Sequence, residues 1–436
     1  MNPVASYTIE MTRHLLTDEG FKGRHRVCDQ AFTRVRCLPF AVVLVLILRK
    51  SVKSLQNVVN EAMAWLMVEP VTASAFSQAR YKLQHTAFIE LNQRAVVESR
   101  YRDADFRIWW GFRILAIDGS KVRLPDTEEV RAAFGTIAYS NGKNPQIQGE
   151  HSYALASVLY DVLNRLALEA TLGRADAYEV DWAIGHLAHT GPTDVLIMDR
   201  NDPSYRLLAE LTQRQRHVVI RCSTASFAAA RRMLHGEGPE SQEVTLTPCA
   251  AQAPLIRQLG LPGAVRVRFV RVRLSAGAWE VLVTSLRDEA AYPTTGFLEL
   301  YHLRWGVETF YGVLKTRLDL ENFSGLGAEA VRQDFHATVY LTGLESILTE
   351  AAQTHLDAKE TRYPQTVNRA VSFNAIKHHA LDLLSSNLDT QPLIERLTVL
   401  FLTHPSCARP QRRPPRQKTS ARVLLDFHRR QKKHCY

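Results

Sequence analysis

The chain has 436 residues, with 54 lysines and arginines against 44 aspartates and glutamates, a formal net charge of +10 and a pI near 9.4. Hydrophobic residues make up 46% and charged residues 22%, ordinary for a soluble globular protein, which excludes a chain disordered throughout. The excess charge is local: residues 405–436 hold ten basic side chains and one acid, Asp426, whereas residues 1–404 carry a net charge of +1. A nearly neutral body with a basic tail points to a polyanionic partner without identifying it. The length suits several domains with a large core. Six scattered cysteines (Cys28, Cys37, Cys222, Cys249, Cys407, Cys435) form no C-x-x-C pair, so neither a zinc knuckle nor a disulfide framework is expected, and a reducing, cytoplasmic compartment is the simplest reading. Residues 1–20 are mixed and polar, unlike a secretory signal. The apolar run 38–48 is too short to span a bilayer, and its Pro39 suits the first turn of a buried helix.

Residues 1–100 read as a helical N-terminal domain for DNA binding or dimer assembly. Residues 54–67 begin with a capping Ser54 and place Leu55, Val58, Val59, Ala62 and Leu66 on one stripe. After Pro70, Thr72 or Ser74 caps a second helix carrying Ala75, Phe76, Ala79 and Leu83. Such a pair is either a DNA-reading helix-turn-helix or plain packing. Residues 101–222 read as the first part of an α/β core. Strands are expected at 113–118, 152–159 and 165–171, with a turn at 161–164, then helix 178–189, strand 194–199, helix 205–214 and strand 217–222. Three strands, helix, strand, helix, strand is the order of an RNase H-like domain, and the apolar runs before Asp118 and Asp199 fit a sheet buried on both faces.

Residues 223–290 read as a β-strand insertion, with strand-period alternation at 244–247, 265–274 and 279–285. Arg266, Arg268, Arg271 and Arg273 suggest one basic face after a one-residue slip at a bulge, or else a solvated strand face. Residues 291–345 return to the core as helices, 346–404 form a C-terminal helical region, and the basic tail 405–436 is expected to be extended or disordered, because proline and like charge prevent packing. The predicted class is α/β: an RNase H-like mixed sheet flanked by helices, interrupted by an all-β insertion, with a helical N-terminal domain.

Asp118 and Asp199 each follow an apolar run. Alone, an aspartate there is a turn former or helix cap; two on neighbouring strands repel unless a cation sits between them. Mg²⁺ takes hard oxygen ligands, and two such ions about 3.5–4 Å apart serve phosphodiester chemistry. A third acid is then expected on a later helix, and Glu308 fits. At about 100° per residue, Tyr301, Arg304, Glu308 and Lys315 fall within about 60° of one another, beside an apolar stripe of Leu303, Val307, Phe310 and Leu314. Lys315 lies beyond intrahelical pairing distance from Glu308, which leaves it for a substrate phosphate, with Arg304 forking onto phosphate oxygens. The alternative is a solvated polar face with unrelated charges.

The spacing Tyr301-x2-Arg304-x3-Glu308-x6-Lys315 resembles the Y-(2)-R-(3)-E-(6)-K signature of bacterial insertion-sequence DDE transposases of the IS-four type. The surroundings of Asp118 (Ile117, Gly119, Ser120), of Asp199 (Ile197, Met198, Arg200), and the segment Ala75, Phe76, Arg80, Leu83 are similar too. The resemblance covers roughly residues 30–345. It implies a cut-and-paste transposase using two Mg²⁺ ions, with Mn²⁺ as a substitute, acting by nicking, hairpin formation, hairpin opening and strand transfer. By position, Asp118, Asp199 and Glu308 are the implied catalytic metal ligands, and Tyr301, Arg304 and Lys315 the implied contacts to double-stranded DNA at terminal inverted repeats. Trp279 resembles the aromatic that the family stacks on a flipped base; its other reading is a core tryptophan on a half-buried strand. A homodimeric synaptic complex with target DNA, no membrane, and a bacterial, nucleoid-associated location are implied as well.

One departure is Asn201-Asp202 after Arg200, where the family commonly has glycine and an aromatic. It makes Asp202 a weak rival to Asp199, as Asp126 is to Asp118. Two other readings stay open: a transposase-derived DNA-binding protein that no longer catalyses, and an RNase H-like nuclease for another nucleic acid. The tail reads as an auxiliary phosphate clamp or an assembly segment, adding salt-sensitive affinity.

Overall fold

A computed structural model describes residues 3–34, 37–51, 53–103, 105–141, 144–200, 203–274, 277–385 and 389–407. The basic tail beyond residue 407 and the rival Asp202 lie outside the described residues. Helices α1 (Pro3–Thr17), α2 (Glu19–His25), α3 (Phe40–Leu48), α4 (Leu55–Leu66), α5 (Ala73–Arg80) and α6 (Thr86–Leu91), a π turn over Asn92–Val97 and α7 (Glu98–Tyr101) make up the N-terminal region. In α3, eight of nine residues are buried, and Pro39 stands at its N-cap. No described helix is long and apolar enough to cross a membrane. The Ser54 and Thr72 hydroxyls accept from the amides of Asn57 and Ala75, each satisfying an amide that the first helical turn leaves orphaned.

Glu90 on α6 receives Arg24, His25 and Arg94. Burial alone raises its carboxyl, but those hydrogen bonds prevail and hold it at about 2. A depressed carboxyl contributes stability above its unfolded value near 4.5 and loses it as pH falls toward 2. Glu90→Gln is therefore expected to flatten the acid limb of unfolding between pH 4.5 and 2, read by circular dichroism against the native chain.

The central sheet begins with β1 (Arg113–Arg123), followed by α8 (Glu128–Phe134), β2 (Thr136–Asn141), β3 (Asn144–Asp161), β4 (Leu166–Arg174), α9 (Glu179–His186), β5 (Asp194–Met198), α10 (Tyr205–Gln213) and β6 (His217–Arg221). The lateral order β4-β3-β1-β5-β6, with three antiparallel strands and then two parallel to β1, is RNase H-like. The turn after β3 is held by the Asp161 carboxylate, which accepts from the amides of Leu163 and Asn164, while Arg165 takes a positive φ of 57°. β2 pairs with the first half of β3; the stretch 136–149 is broken by glycine, proline and asparagine and carries no clean alternation. β1 does not end at Asp118 as expected but runs on to Arg123. It keeps β3 as a partner to Arg123↔Tyr153, whereas its pairing with β5 stops at Ala116↔Ile197.

The insertion contains α11 (Ala228–Leu234), β7 (Ser241–Leu246), α12 (Ala253–Gln258), β8 (Val265–Arg273) and β9 (Trp279–Thr284). Two helices make it mixed rather than all-β, and it is no separate sheet: β9 pairs antiparallel with β6, so β6-β9-β8-β7 prolong the central sheet to nine strands. An unpaired β6 edge would leave a row of backbone donors and acceptors open, and Val281, Leu282 and Val283 are all fully buried, as a strand covered on both faces requires. The expected basic face does not form. β8 keeps an unbroken register with both neighbours, so Arg266 and Arg268 point to one face, Arg271 and Arg273 to the other. Arg268 is buried on Ser241, Thr294 and the Tyr292 carbonyl, and Arg271 is buried near the carbonyls of Glu237 and Gly238.

After the insertion come α13 (Phe297–His302), α14 (Trp305–Gly312), a π turn over Val313–Arg317 and the 30-residue α15 (Ala328–Asp357). Then follow β10 (Gln365–Thr366), α16 (Arg369–His378), α17 (Ala380–Ser385), α18 (Gln391–Thr403) and β11 (Ser406–Cys407), which pairs with β10. α15 is buried along most of its length. A Cβ on its Gly343 would lie 2.5 Å from Val96 Cγ1, so glycine permits the close crossing with the first π turn. Arg80 of α5 is buried against α15, donating to Gln333, Asp334 and the Ala330 carbonyl. That much of the 54–83 pair is packing.

Candidate active site

The acids are placed by strand register. Arg113↔Asp194 through Ala116↔Ile197 align β1 with β5, and two positions further along each chain stand Asp118 and Asp199. Neighbours in parallel register share a face, and both aspartates line one cleft with Gly119, Ser157 and Glu179. At the far end of the same strands Arg113 grips Asp194 with two hydrogen bonds of 2.8 Å. The apolar residues between, Ile114 to Ile117 and Val195 to Met198, are buried. Asp126, the rival to Asp118, is taken up by Arg131 and Ser152 and serves the start of α8.

Burial pushes the Asp118 carboxyl up to about 6. The Gly119 amide and Arg304 oppose that rise, whereas Glu308 and Asp199 add to it. Asp118 therefore feels both of the other acids. α14 docks on β1 at this point: the Tyr311 hydroxyl reaches the carbonyl oxygen of Asp118 at 2.9 Å, and a Cβ on Gly306 would crowd Val162 at 3.2 Å, so glycine eases the approach of the helix to the β3–β4 turn.

The expected single helix over 301–315 is broken. α13 ends at His302, α14 starts at Trp305, and residues 313–317 widen into a π turn. Arg304, at the joint, is buried and donates to Glu308 at 2.7 Å. Tyr301 is buried, with the Arg304 guanidinium 5.7 Å from its ring centroid. Among the described residues the Tyr301 hydroxyl and Arg304 Nε have no hydrogen-bond partner. Burial raises the Tyr301 phenol far above its usual range; Asp199 and Glu280 add to the rise and Arg304 and Arg221 oppose it. Lys315 is not free as its spacing suggested: it donates to Ser120 Oγ at 2.9 Å and the Lys121 carbonyl at 2.6 Å.

Trp279 opens β9, which runs antiparallel to β6, so it lies at the same sheet edge as the carboxyl ends of β5 and β6. It is half-buried, with the Arg271 and Arg273 guanidinia 4.7 and 5.6 Å from its ring centroid. Its neighbour Glu280 is buried and pairs with Arg221 at 2.8 Å; burial raises its carboxyl against Arg221, His302 and Arg304. Glu280, Glu179 and Tyr311 were not legible as site residues. Glu280 and Glu179 sit in ordinary strand and helix contexts, and Tyr311 belongs neither to the Tyr-Arg-Glu-Lys face nor to the apolar stripe of Leu303, Val307, Phe310 and Leu314.

Three carboxylates are a fitting donor set for a hard divalent cation, and an aspartate held up by burial beside two acids is relieved by one. Among the described residues no three acid, histidine or cysteine side chains are gathered closely enough to hold an ion as they stand. Glu308 is drawn instead to Arg304.

A nine-stranded mixed sheet of this lateral order, with two register-matched aspartates and a glutamate helix docked beside them, defines an RNase H-like fold. The family model described as "Transposase DDE domain" matches residues 109–341, more than half of the chain, and the chain belongs to that family. It is similar to "Transposase InsG for insertion sequence element IS4" of Escherichia coli (strain K12), 28% identical over 212 residues, 48% of this chain and 45% of that protein. The match thus spans less than half the length of that curated relative. A solved structure, the cryo-EM piggyBac transposase synaptic complex with hairpin DNA, aligns over 97% of this chain and 87% of that chain, at 10% identity and a TM-score of 0.43.

Proposed function

We propose that this chain is the DNA-cutting and DNA-joining enzyme of an insertion sequence, moving it by cut-and-paste transposition between its terminal inverted repeats and a target duplex. The observation that carries the reading is the convergence of Asp118, Asp199 and the Glu308 helix at one sheet edge, with each acid felt by Asp118. Asp118, Asp199 and Glu308 would hold two Mg²⁺ ions, or Mn²⁺ in their place, which when bound supply an activated water or hydroxyl and stabilise the leaving oxygen. Tyr301 and Arg304 bring a phenol and a guanidinium, each with a buried donor unpartnered among the described residues, beside Asp199. A DNA phosphate entering there would accept from both, and Arg304 would turn from Glu308 to meet it. Trp279, at the same edge, offers an indole face to a base drawn out of the stack. Two such chains, each acting on one end, would make the synaptic complex.

The test is incubation of the full chain with linear DNA carrying the inverted repeats of its parent element. Cleavage at the junction of repeat and flank, with Mg²⁺ or Mn²⁺ and not with EDTA, is the expected result. Binding of the ends without any metal-dependent cut would sink the reading, and preferential cutting of an RNA–DNA hybrid would replace it with a nuclease.

A further inference from the structure

On the sheet face that α9 covers, three polar side chains are joined in a row. Ser157 of β3 and Thr171 of β4 are register partners, and Glu169 stands two residues before Thr171, so the three share a face. His186, in the last turn of α9, reaches two of them. Its Nε2 lies 2.8 Å from Ser157 Oγ, and its Nδ1 pairs with the Glu169 carboxylate, which also accepts from the Thr171 hydroxyl at 2.9 Å. α9 is seated tightly here: a Cβ on Gly173 of β4 would lie 2.6 Å from the Trp182 ring. With Glu169 accepting from Nδ1, the neutral imidazole presents Nε2 as an acceptor, so the Ser157 hydroxyl donates to it. Burial raises the Glu169 carboxyl, but the hydrogen bond and charge of His186, helped by Thr171, hold it below its usual value.

The two ends of this row meet different surroundings. Ser157, opposite Gly119 in the β1–β3 register, is buried and lines the cleft of Asp118, Asp199 and Glu179. That cleft has a volume of about 30 Å³, enough to admit a water molecule. His186 is buried, whereas the Glu169 side chain is 21% exposed. Any two partners satisfy a core histidine; these two lead from the acid cleft to solvent.

We propose that Ser157, His186 and Glu169 form a proton relay that carries the proton of the attacking water out of the acid cleft. The proposal rests on the reading of Asp118, Asp199 and Glu308 as the centre of a phosphodiester-cleaving site. Ser157 is the catalytic residue; His186 and Glu169 act through it. As the water oxygen bonds to phosphorus, the bond from phosphorus to the leaving strand oxygen breaks. The water proton passes to Ser157 Oγ, the serine proton passes to His186 Nε2, and Glu169 holds the imidazolium. The leaving oxygen takes a proton from solvent, and His186 returns one to solvent by way of Glu169. The charges around the relay are Glu169 and, beyond it, His189; Tyr311 feels Glu169 and Glu179 as well, and Arg206 of α10 is taken by Asp181.

The test is single-turnover cleavage of end DNA by the full chain at saturating Mg²⁺, from about pH 6 to about pH 9, across the histidine range. The native rate should rise through one inflection and level off. Ser157→Ala and His186→Gln should each cut about 100-fold more slowly near neutral pH, the lower end of what a positioned proton acceptor supplies. Their rates should then climb about tenfold per pH unit, as hydroxide replaces the relay, and close on the native rate. Glu169→Gln should move the inflection to lower pH, because the imidazolium loses its counter-charge. Half-saturating Mg²⁺ and DNA affinity should stay native in all three variants. A rate lowered by one factor at every pH would make the row a prop for α9 and overturn the relay. So would Ser157→Ala cutting at the native rate. If His186→Gln does not fold, Ser157→Ala, which loses a single oxygen, decides alone. Absence of any cut by the native chain would remove the functional reading and the relay together, whereas native cutting with either of the two overturning results removes the relay only.

Discussion

Asp118→Asn, Asp199→Asn and Glu308→Gln are each expected to lower metal-dependent DNA cleavage by about 1,000-fold or more, beyond the about 10–100-fold typical of losing a residue that only orients a metal ligand. Binding of end DNA should survive, since the substituted side chains are acidic and removing a negative charge weakens no phosphate contact. In metal-free buffer at neutral pH, Asp118→Asn should melt at least as high as the native chain. Burial penalises the Asp118 charge, and Glu308 and Asp199 add to that penalty, so the neutral isostere removes an unfavourable term at the cost of function. The measurements are a single-turnover cleavage assay, a gel-shift titration and a melting curve on the same preparations. Cleavage within about tenfold of native for any one of the three would remove that residue from the metal-binding set.

Arg113→Met is expected to destabilise the fold by about 3–5 kcal/mol, the range for removing one partner of a buried ion pair. Asp194 is 1% exposed, and among the described residues its carboxylate keeps only the Gly191 amide once the guanidinium is gone. Arg113 also lies over the Tyr101 ring at 4.5 Å, and the Tyr101 hydroxyl donates to buried Asp161, so the loss spreads to the β3–β4 turn. The pair carries more than stability. It aligns the first residues of β1 and β5, and a one-residue slip would turn Asp199 to the opposite face of the sheet from Asp118. Cleavage should therefore fall even at temperatures where the variant remains folded. The double replacement Arg113→Met with Asp194→Leu should recover much of the stability, because an apolar pair leaves no charge stranded. A denaturant midpoint for Arg113→Met equal to that of the native chain would show that the pair does not pin the register.

Most elements were legible because local chemistry names them. Ser54 and Thr72 mark helix starts through their hydroxyls, and the apolar runs before Asp118 and Asp199 mark strands covered on both faces. The Asp161 turn is marked by a short side chain that accepts from its own downstream amides. The misreadings concern what periodicity carries only weakly. In β8 the alternation of arginines shifts phase, which suggested a bulge. The strand instead stays regular and buries Arg268 and Arg271, because β7 and β9 flank it on both sides and nearby carbonyls accept from them. The helix over 301–315 looked continuous because residue type reports an apolar stripe and not a joint at Leu303–Arg304.

Residue order and type alone determined the class of fold, the three acids and the Tyr-Arg-Glu-Lys spacing, since these depend on apolar period and on side-chain chemistry that a chain carries wherever it folds. Tertiary structure decided the rest. It placed Asp118 inside a strand rather than at its end, joined the inserted strands to the central sheet, paired Arg304 with Glu308 and turned Lys315 onto Ser120. The physical reason is common to all four. A donor, a charge or a strand edge takes the partner that reaches it when the chain closes, and those partners lie tens to hundreds of residues away in sequence or, for Arg304, become decisive only once the helix is buried.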